Sequence, residues 1–309
     1  MPWLDRDLPG IRPQLRKRGI RSTRGSRRAD HSPLASPKRL PRPIILTVPL
    51  QELTLDGVPA LVAHLLSDPT AGVRWFRGQR CAQRHITSSL RRALPAGSPS
   101  ELLARERRLI TRFRQRSLPY WPEGYPQTDW EHLFAMQHFG VPTRLIDWTE
   151  SLLIAVFFAA RDEHVPCESG CAQCTPAVWI LDPVAFNRHN SRLDGMQIGI
   201  LATSDEALGP WAPDVDEQYF APWPVALYGT HNSRRIVAQQ GTFTVDGKER
   251  VPLDEVPAIR EHEGVLEKIV IRDTREHLRR DLQLLGITQA SAYPGLEGLA
   301  KDVSEAELR

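Results

Sequence analysis

Three short stretches of this chain set polar, chemistry-bearing side chains directly beside strongly apolar ones: Trp75-Phe76-Arg77-Gly78-Gln79, the run from Gln137 to Thr149, and Arg235 to Phe243. In a core such groups must find partners; in a cleft they converge on a ligand. The planar fork of Arg77 suits a phosphate as well as a carboxylate, so it is either an anion binder or half of a buried ion pair, with Asp147 as a candidate partner. Gly78 beside it permits a positive φ or a close approach of another backbone. Asp147 and Glu150 fit a box at the start of a helix, with Thr149 in its first turn. His138 continues the apolar stripe of Trp130, Leu133 and Phe134, which makes it a core histidine or a ligand-facing one. Gln239 and Gln240 are expected to alternate in a strand, one facing in and one out.

A fourth cluster has metal-ligand chemistry. His164, Cys167, Cys171 and Cys174 form a Cys3His set that zinc would accept, with Cys81 as a substitute ligand; the alternative is an unligated loop, since the outer ligands are only ten positions apart. The carboxylates Asp147, Glu150, Asp162 and Glu163 could suggest a metal-dependent nuclease, but residues 150 and 162 fall at opposite ends of a helix about 18 Å long. Neither a Walker-type phosphate loop nor a Gly-x-Ser-x-Gly elbow occurs.

The elements that must position these residues are legible from periodicity. Strands are expected at Ile44–Val48, Val73–Phe76, Ala177–Leu181, Ile236–Val245 and Glu267–Arg272. Helices are expected at Val58–Leu66, Glu101–Arg116, Trp130–Phe139 with Gly140 as its stop, from about Asp147, and at Thr274–Leu285. Residues 162–176 read as a loop and 205–235 as irregular. No internal repeat or Gly/Ser linker divides residues 44–309, so one mixed α+β domain is expected there.

Residues 1–43 differ in kind. They hold twelve Lys/Arg and three Asp/Glu, whereas the remainder holds 28 against 34, so the net charge of +3 conceals a basic tail. With few apolar residues to offset its ordering entropy, the tail is expected to be disordered, either a solvated extension or an arm for nucleic acid. The longest apolar run, Leu152 to Ala160, is far short of the roughly 20 residues of a spanning helix, so no membrane association is expected. The first residues lack the apolar stretch of a secretory signal, which points to the cytoplasm.

Taken in series with Tyr293-Pro294-Gly295-Leu296-Glu297-Gly298-Leu299, the three polar stretches resemble the FRG domain family, named for its Phe-Arg-Gly motif, over about residues 70 to 303. The arrangement is in turn similar to the ADP-ribosyltransferase superfamily. That resemblance implies a split sheet with packed helices, an NAD-type nucleotide as ligand, and ADP-ribosyl transfer or NAD hydrolysis as activity. It makes Arg77 the arginine that holds the NAD phosphates or ribose, with Gly78, Arg144 and Asp147 also binding the nucleotide. It matches Ala155-Val156-Phe157-Phe158 to the superfamily's helix pattern, sets Trp148-Thr149-Glu150 at its Ser-Thr-Ser positions, and gives Thr149 and His138 the nicotinamide ribose. Gln240 then stands at the catalytic glutamate position. A glutamine can hydrogen-bond a ribose hydroxyl but supplies no negative charge to an oxocarbenium-like transition state. The competing reading is a catalytically silent recognition module in which the same polar cluster rigidifies the fold or binds an anion.

Overall fold

Seven strands form one mixed sheet in the computed structural model, which describes residues 48–68, 72–121, 124, 126–161, 174–197, 199–230 and 233–308. In chain order they are β1 (Gln51–Leu55), β2 (Trp75–Gln79), β3 (Leu145–Thr149), β4 (Ala177–Leu181), β5 (Val225–Leu227), β6 (Gly241–Val245) and β7 (Leu266–Ile271). Their order across the sheet is β1-β7-β4-β2-β3-β6-β5, with β1 and β7 parallel and every other neighbouring pair antiparallel. The basic tail and most of the strand expected at Ile44–Val48 lie outside the described residues.

The sheet is narrowest at its centre. β2 keeps five registered pairs with β4, and β3 keeps five with β6, but β2 and β3 share the single pair Phe76↔Thr149. From that point β2 continues through Arg77 and Gly78 while β3 runs the opposite way, with no ladder between them. Because side chains alternate along a strand, Phe76 and Gly78 on β2 share a face with Leu145, Asp147 and Thr149 on β3.

Two groups of helices stand on that face. Over β2, β4 and β7 lie α1 (Gly57–Leu66), α5 (Leu152–Ala159) and α9 (Arg275–Leu284), which contribute Val58, Leu61, Ala155, Val156, Leu278 and Leu282 to a core with Phe76, Val178 and Ile269. Over β3, β5 and β6 lie α3 (Pro99–Ser117) and α4 (Asp129–His138), where Ile110, Leu133, Phe134 and Met136 pack on Leu145, Phe243 and Val245. The opposite face is closed by Trp75, Trp148 and Trp179 against Phe186 and the segment from Leu253 to Ile259. Burying a side chain of this size contributes about 1.5–3 kcal/mol.

Local sequence explains the helix ends. Thr128 and Glu131 form a reciprocal capping box at α4, and Gly140 ends that helix with φ +78°. The helix expected from about Asp147 instead begins at Leu152, where the Ser151 side chain accepts from the Ile154 amide. Residues 145–149 are a strand because Leu145, Ile146, Trp148 and Thr149 fit a pleated, buried surface, so Asp147 and Glu150 form no helix-start box. Likewise Ile236 does not begin a strand. Ser233 caps a short helix, Arg234–Ala238, and β6 starts only at Gly241.

Gly78 has a purely steric reason. A Cβ placed on it would lie 1.8 Å from the Ala155 carbonyl oxygen and 2.8 Å from the Ala159 amide nitrogen, so α5 can rest on β2 only where a side chain is missing. Gly78→Ala should therefore push α5 off the strand and cost about 3 kcal/mol or more, read as a lowered midpoint in chemical denaturation.

Arg144, expected among the nucleotide contacts, belongs to the core. It is fully buried; its Nε donates to Glu106 Oε2 at 2.8 Å, Nη1 to the Asp246 carbonyl at 2.9 Å and Nη2 to the Trp211 carbonyl at 2.8 Å, with the Phe220 ring 5.1 Å from Cζ. A guanidinium enclosed and engaged in this way does not line the cleft. Glu106→Ala is expected to cost about 3–5 kcal/mol by leaving that charge buried and alone, and Glu106→Leu combined with Arg144→Met to recover most of it; denaturation midpoints of the two variants check this.

Candidate functional site

Where β2 and β3 part, the α4 and α5 helices stand on either side of a cleft of about 350 Å³. Phe76, Arg77, Gly78 and Gln79 come from β2, Asp147, Trp148 and Thr149 from β3, Gln137 and His138 from the end of α4, and Phe158 from α5. Arg80, Arg84, His85, Thr87 and Arg92 follow β2 in sequence, while Arg161, Arg235, Gln239 and Tyr293 complete the wall.

Arg77 spans the gap in the sheet. Its Nη1 donates to the Asp147 carbonyl oxygen at 2.6 Å, in place of the backbone amide a continuous ladder would supply. Its Nε is shielded from solvent and has no hydrogen-bond partner. Burial pulls the guanidinium below the ordinary arginine value, the neighbouring Asp147 draws it back up, and the charges of Arg92 and Arg84 push it down. The group remains a cation, held among cations.

The Asp147 side chain is exposed in the cleft and held there by Gln137, whose Nε2 donates to Oδ2 at 2.6 Å while its Oε1 accepts from the Thr143 hydroxyl. Six arginines line the cleft with this carboxylate, which is the one acidic group among the described residues of the lining. Tyr293 is stacked by two of them. Arg235 Cζ lies 4.6 Å and Arg161 Cζ 5.6 Å from the ring centroid, and Arg161 also donates to the tyrosine oxygen at 2.9 Å.

The residues implied for the nicotinamide ribose divide. Thr149 lines the cleft, but its hydroxyl donates to the Gln239 carbonyl at 2.6 Å and accepts from the Ser151 amide at 3.0 Å, so it ties the end of β3 to the next turn. Gln239 and Gln240 do not alternate in a strand. They form that turn, with Gln240 at φ +46° and its carbonyl accepting from the Glu150 amide. The glutamine whose side chain lines the cleft is Gln239, with Nε2 on the Ala292 carbonyl at 2.9 Å; Gln240 is not among the lining residues. His138 lines the cleft edge-on to Phe139, with Nδ1 3.4 Å from the Ser233 hydroxyl.

Arg77, Gly78, Asp147, His138 and Thr149 thus meet at one place, and Arg144 and Gln240 do not. Arg84, His85, Arg92 and Arg161 escaped the sequence reading because each lies outside the motifs; the run of basic residues directly after Gln79 was the available signal. Of the zinc-type cluster, His164, Cys167 and Cys171 lie outside the described residues, and Cys174 is half-buried.

Burial, and then the charge of Arg235, hold the His138 imidazole below the ordinary histidine value, with Asp147 opposing. The unfolded chain therefore takes up this proton first as pH falls, and stability drops from about pH 6.5 down to the lowered folded value. His138→Gln should weaken that acid dependence, which melting temperatures of both proteins between neutral and mildly acidic pH would reveal.

Comparison with known proteins bears on the first two motifs. No curated protein and no solved structure matches the chain. Among the described residues no helix is long and apolar enough to cross a membrane. Residues 73–167 match the family model of the FRG domain, a span that runs from β2 through β3 and α5 and so contains both edges of the sheet's central gap. Over these residues the chain is similar to the FRG domain family.

Proposed function

We propose that the cleft binds a dinucleotide of the NAD type through its diphosphate, and that the protein transfers or hydrolyses the ADP-ribosyl group. The observation that carries this reading is the charge of the cleft: Arg77, Arg80, Arg84, Arg92, Arg161 and Arg235 around the lone carboxylate of Asp147. Cations crowded together in a partly water-excluded pocket repel one another, and a bound diphosphate relieves that repulsion while accepting charge-assisted hydrogen bonds. The volume, about 350 Å³, lies within the range of small-molecule sites, and Tyr293 and Phe158 add aromatic surface to the wall.

Within this scheme Arg77 contacts the diphosphate and the free carbonyl oxygen of the Gln239 amide accepts from a ribose hydroxyl. Asp147 supplies the negative charge that Gln240 lacks. An oxocarbenium-like centre forming above it is stabilised by a carboxylate already held in place by Gln137, at no cost in reorganisation. His138, kept neutral at physiological pH, offers a hydrogen bond without adding to the positive charge.

Calorimetric titration with NAD and an assay of nicotinamide release test the proposal together. Arg77→Ala is expected to weaken binding by about 1.5–3 kcal/mol, and Arg77→Lys to restore only part, since an ammonium cannot reproduce the fork. Asp147→Asn preserves the carbonyl that Arg77 needs, so it should bind NAD nearly as well and release nicotinamide about 10²-fold more slowly. Unaltered NAD binding in both Arg77 variants, with a large loss of stability, would instead favour the silent recognition module.

A further inference from the structure

A second group of titratable side chains reaches the cleft from the other side of β2. His85 lines the same cleft as Arg77 and Asp147, with its side chain 59% exposed, while Asp254 behind it is 5% exposed. His85 Nδ1 and Asp254 Oδ2 are 2.7 Å apart, and Asp254 Oδ1 accepts from the Ile86 amide at 2.7 Å. Asp254 sits in a single 3-10 turn, Leu253–Glu255, whose first residue donates its amide to the Ile86 carbonyl. The backbone around the histidine is pinned as well, because Gln79 of the Trp-Phe-Arg-Gly-Gln stretch accepts from the Trp179 indole and donates to the His85 carbonyl at 3.4 Å.

We infer that His85 and Asp254 form a proton-transfer dyad that deprotonates the acceptor of the ADP-ribosyl group. The inference rests on the nucleotide-binding reading of the cleft and adds to it the base that reading leaves unassigned. An ionised carboxylate can only accept, so Asp254 places the proton on Nδ1 and leaves the lone pair of Nε2 for the cleft. This is the arrangement by which a buried acid fixes the tautomer and ring orientation of a catalytic histidine. Among the described residues no carboxylate is hydrogen-bonded to a ring nitrogen of His138, whose Nδ1 lies 3.4 Å from the Ser233 hydroxyl.

The step balances without a further reagent. The acceptor, water or an alcohol, forms a C–O bond to the anomeric carbon of the ribose. The C–N bond to nicotinamide breaks with its electron pair on the ring nitrogen, which neutralises the pyridinium, and the acceptor's proton passes to His85 Nε2. Imidazolium formed there is stabilised by Asp254 and by Glu255 on the same turn, against the opposing charge of Arg84 and Arg92 in the same cleft.

The test uses the full chain with NAD as probe. His85→Gln is expected to bind NAD within about twofold of the wild type and to release nicotinamide about 10²–10³-fold more slowly. In His85→Ala, added imidazole should restore a measurable part of the rate, which a structural role would not allow. Asp254→Asn should lower the rate and shift the acid limb of its pH profile. A wild-type rate in His85→Gln with NAD still bound would overturn the dyad alone, whereas bound NAD that the wild type never turns over would overturn the dyad and the transfer chemistry and leave nucleotide binding standing. A wild-type chain that binds no NAD would overturn both readings.

Discussion

Between β2 and β3 a single guanidinium takes the place of a ladder of backbone amides. The Arg77 contact with the Asp147 carbonyl holds the two halves of the sheet where they share one registered pair. Everything at the site follows from that gap. Continuous pairing would bury the strand edges and leave no opening between α4 and α5, whereas complete separation would cost the sheet its centre. A long, charged, forked side chain satisfies the orphaned carbonyl and still keeps donors near the opening. The neighbouring glycine belongs to the same solution, because α5 must press on β2 closely enough to hold the half-sheet in place without the missing ladder.

The electrostatics are as lopsided as the hydrogen bonding. Apart from Asp147, the polar lining is cationic or neutral, and the cations are disposed around aromatic surface, with Tyr293 between Arg161 and Arg235. Charge of one sign in a concave, partly dry pocket focuses field on whatever enters and selects anions before any shape is read. The counterpart is that the charges of Arg92 and Arg84 act against that of Arg77.

Most elements were readable in advance because their apolar periodicity is strong: β4 appears at the expected residues, and α1, α4, α9 and β7 within one residue at each end. The misreadings have a common physical origin. Residues 145–149 and 234–241 are five- to eight-residue stretches in which strand, cap and turn chemistry overlap, and tertiary pairing decided between them. Arg77, Gly78 and Asp147 were legible as a group from their motifs. The burial of Arg144 was not, because an arginine three positions from a cleft-lining residue looks the same in sequence whether its partner is a phosphate or Glu106 from a helix 38 positions earlier. His85 with Asp254 was invisible for the reverse reason, since 169 positions separate two residues that no local pattern links.

The sheet order also bears on how the protein is made. β1 emerges from the ribosome early, yet among the described residues its one ladder partner is β7, with Glu52 and Lys268 paired across 216 positions. That outer pair cannot zip until the last strand has been synthesised, while β2 must wait for β3 and β4 to reach it. Vectorial synthesis therefore leaves strand edges open for much of translation, and a chain with such long-range pairings is exposed to edge-to-edge association until its final helices arrive.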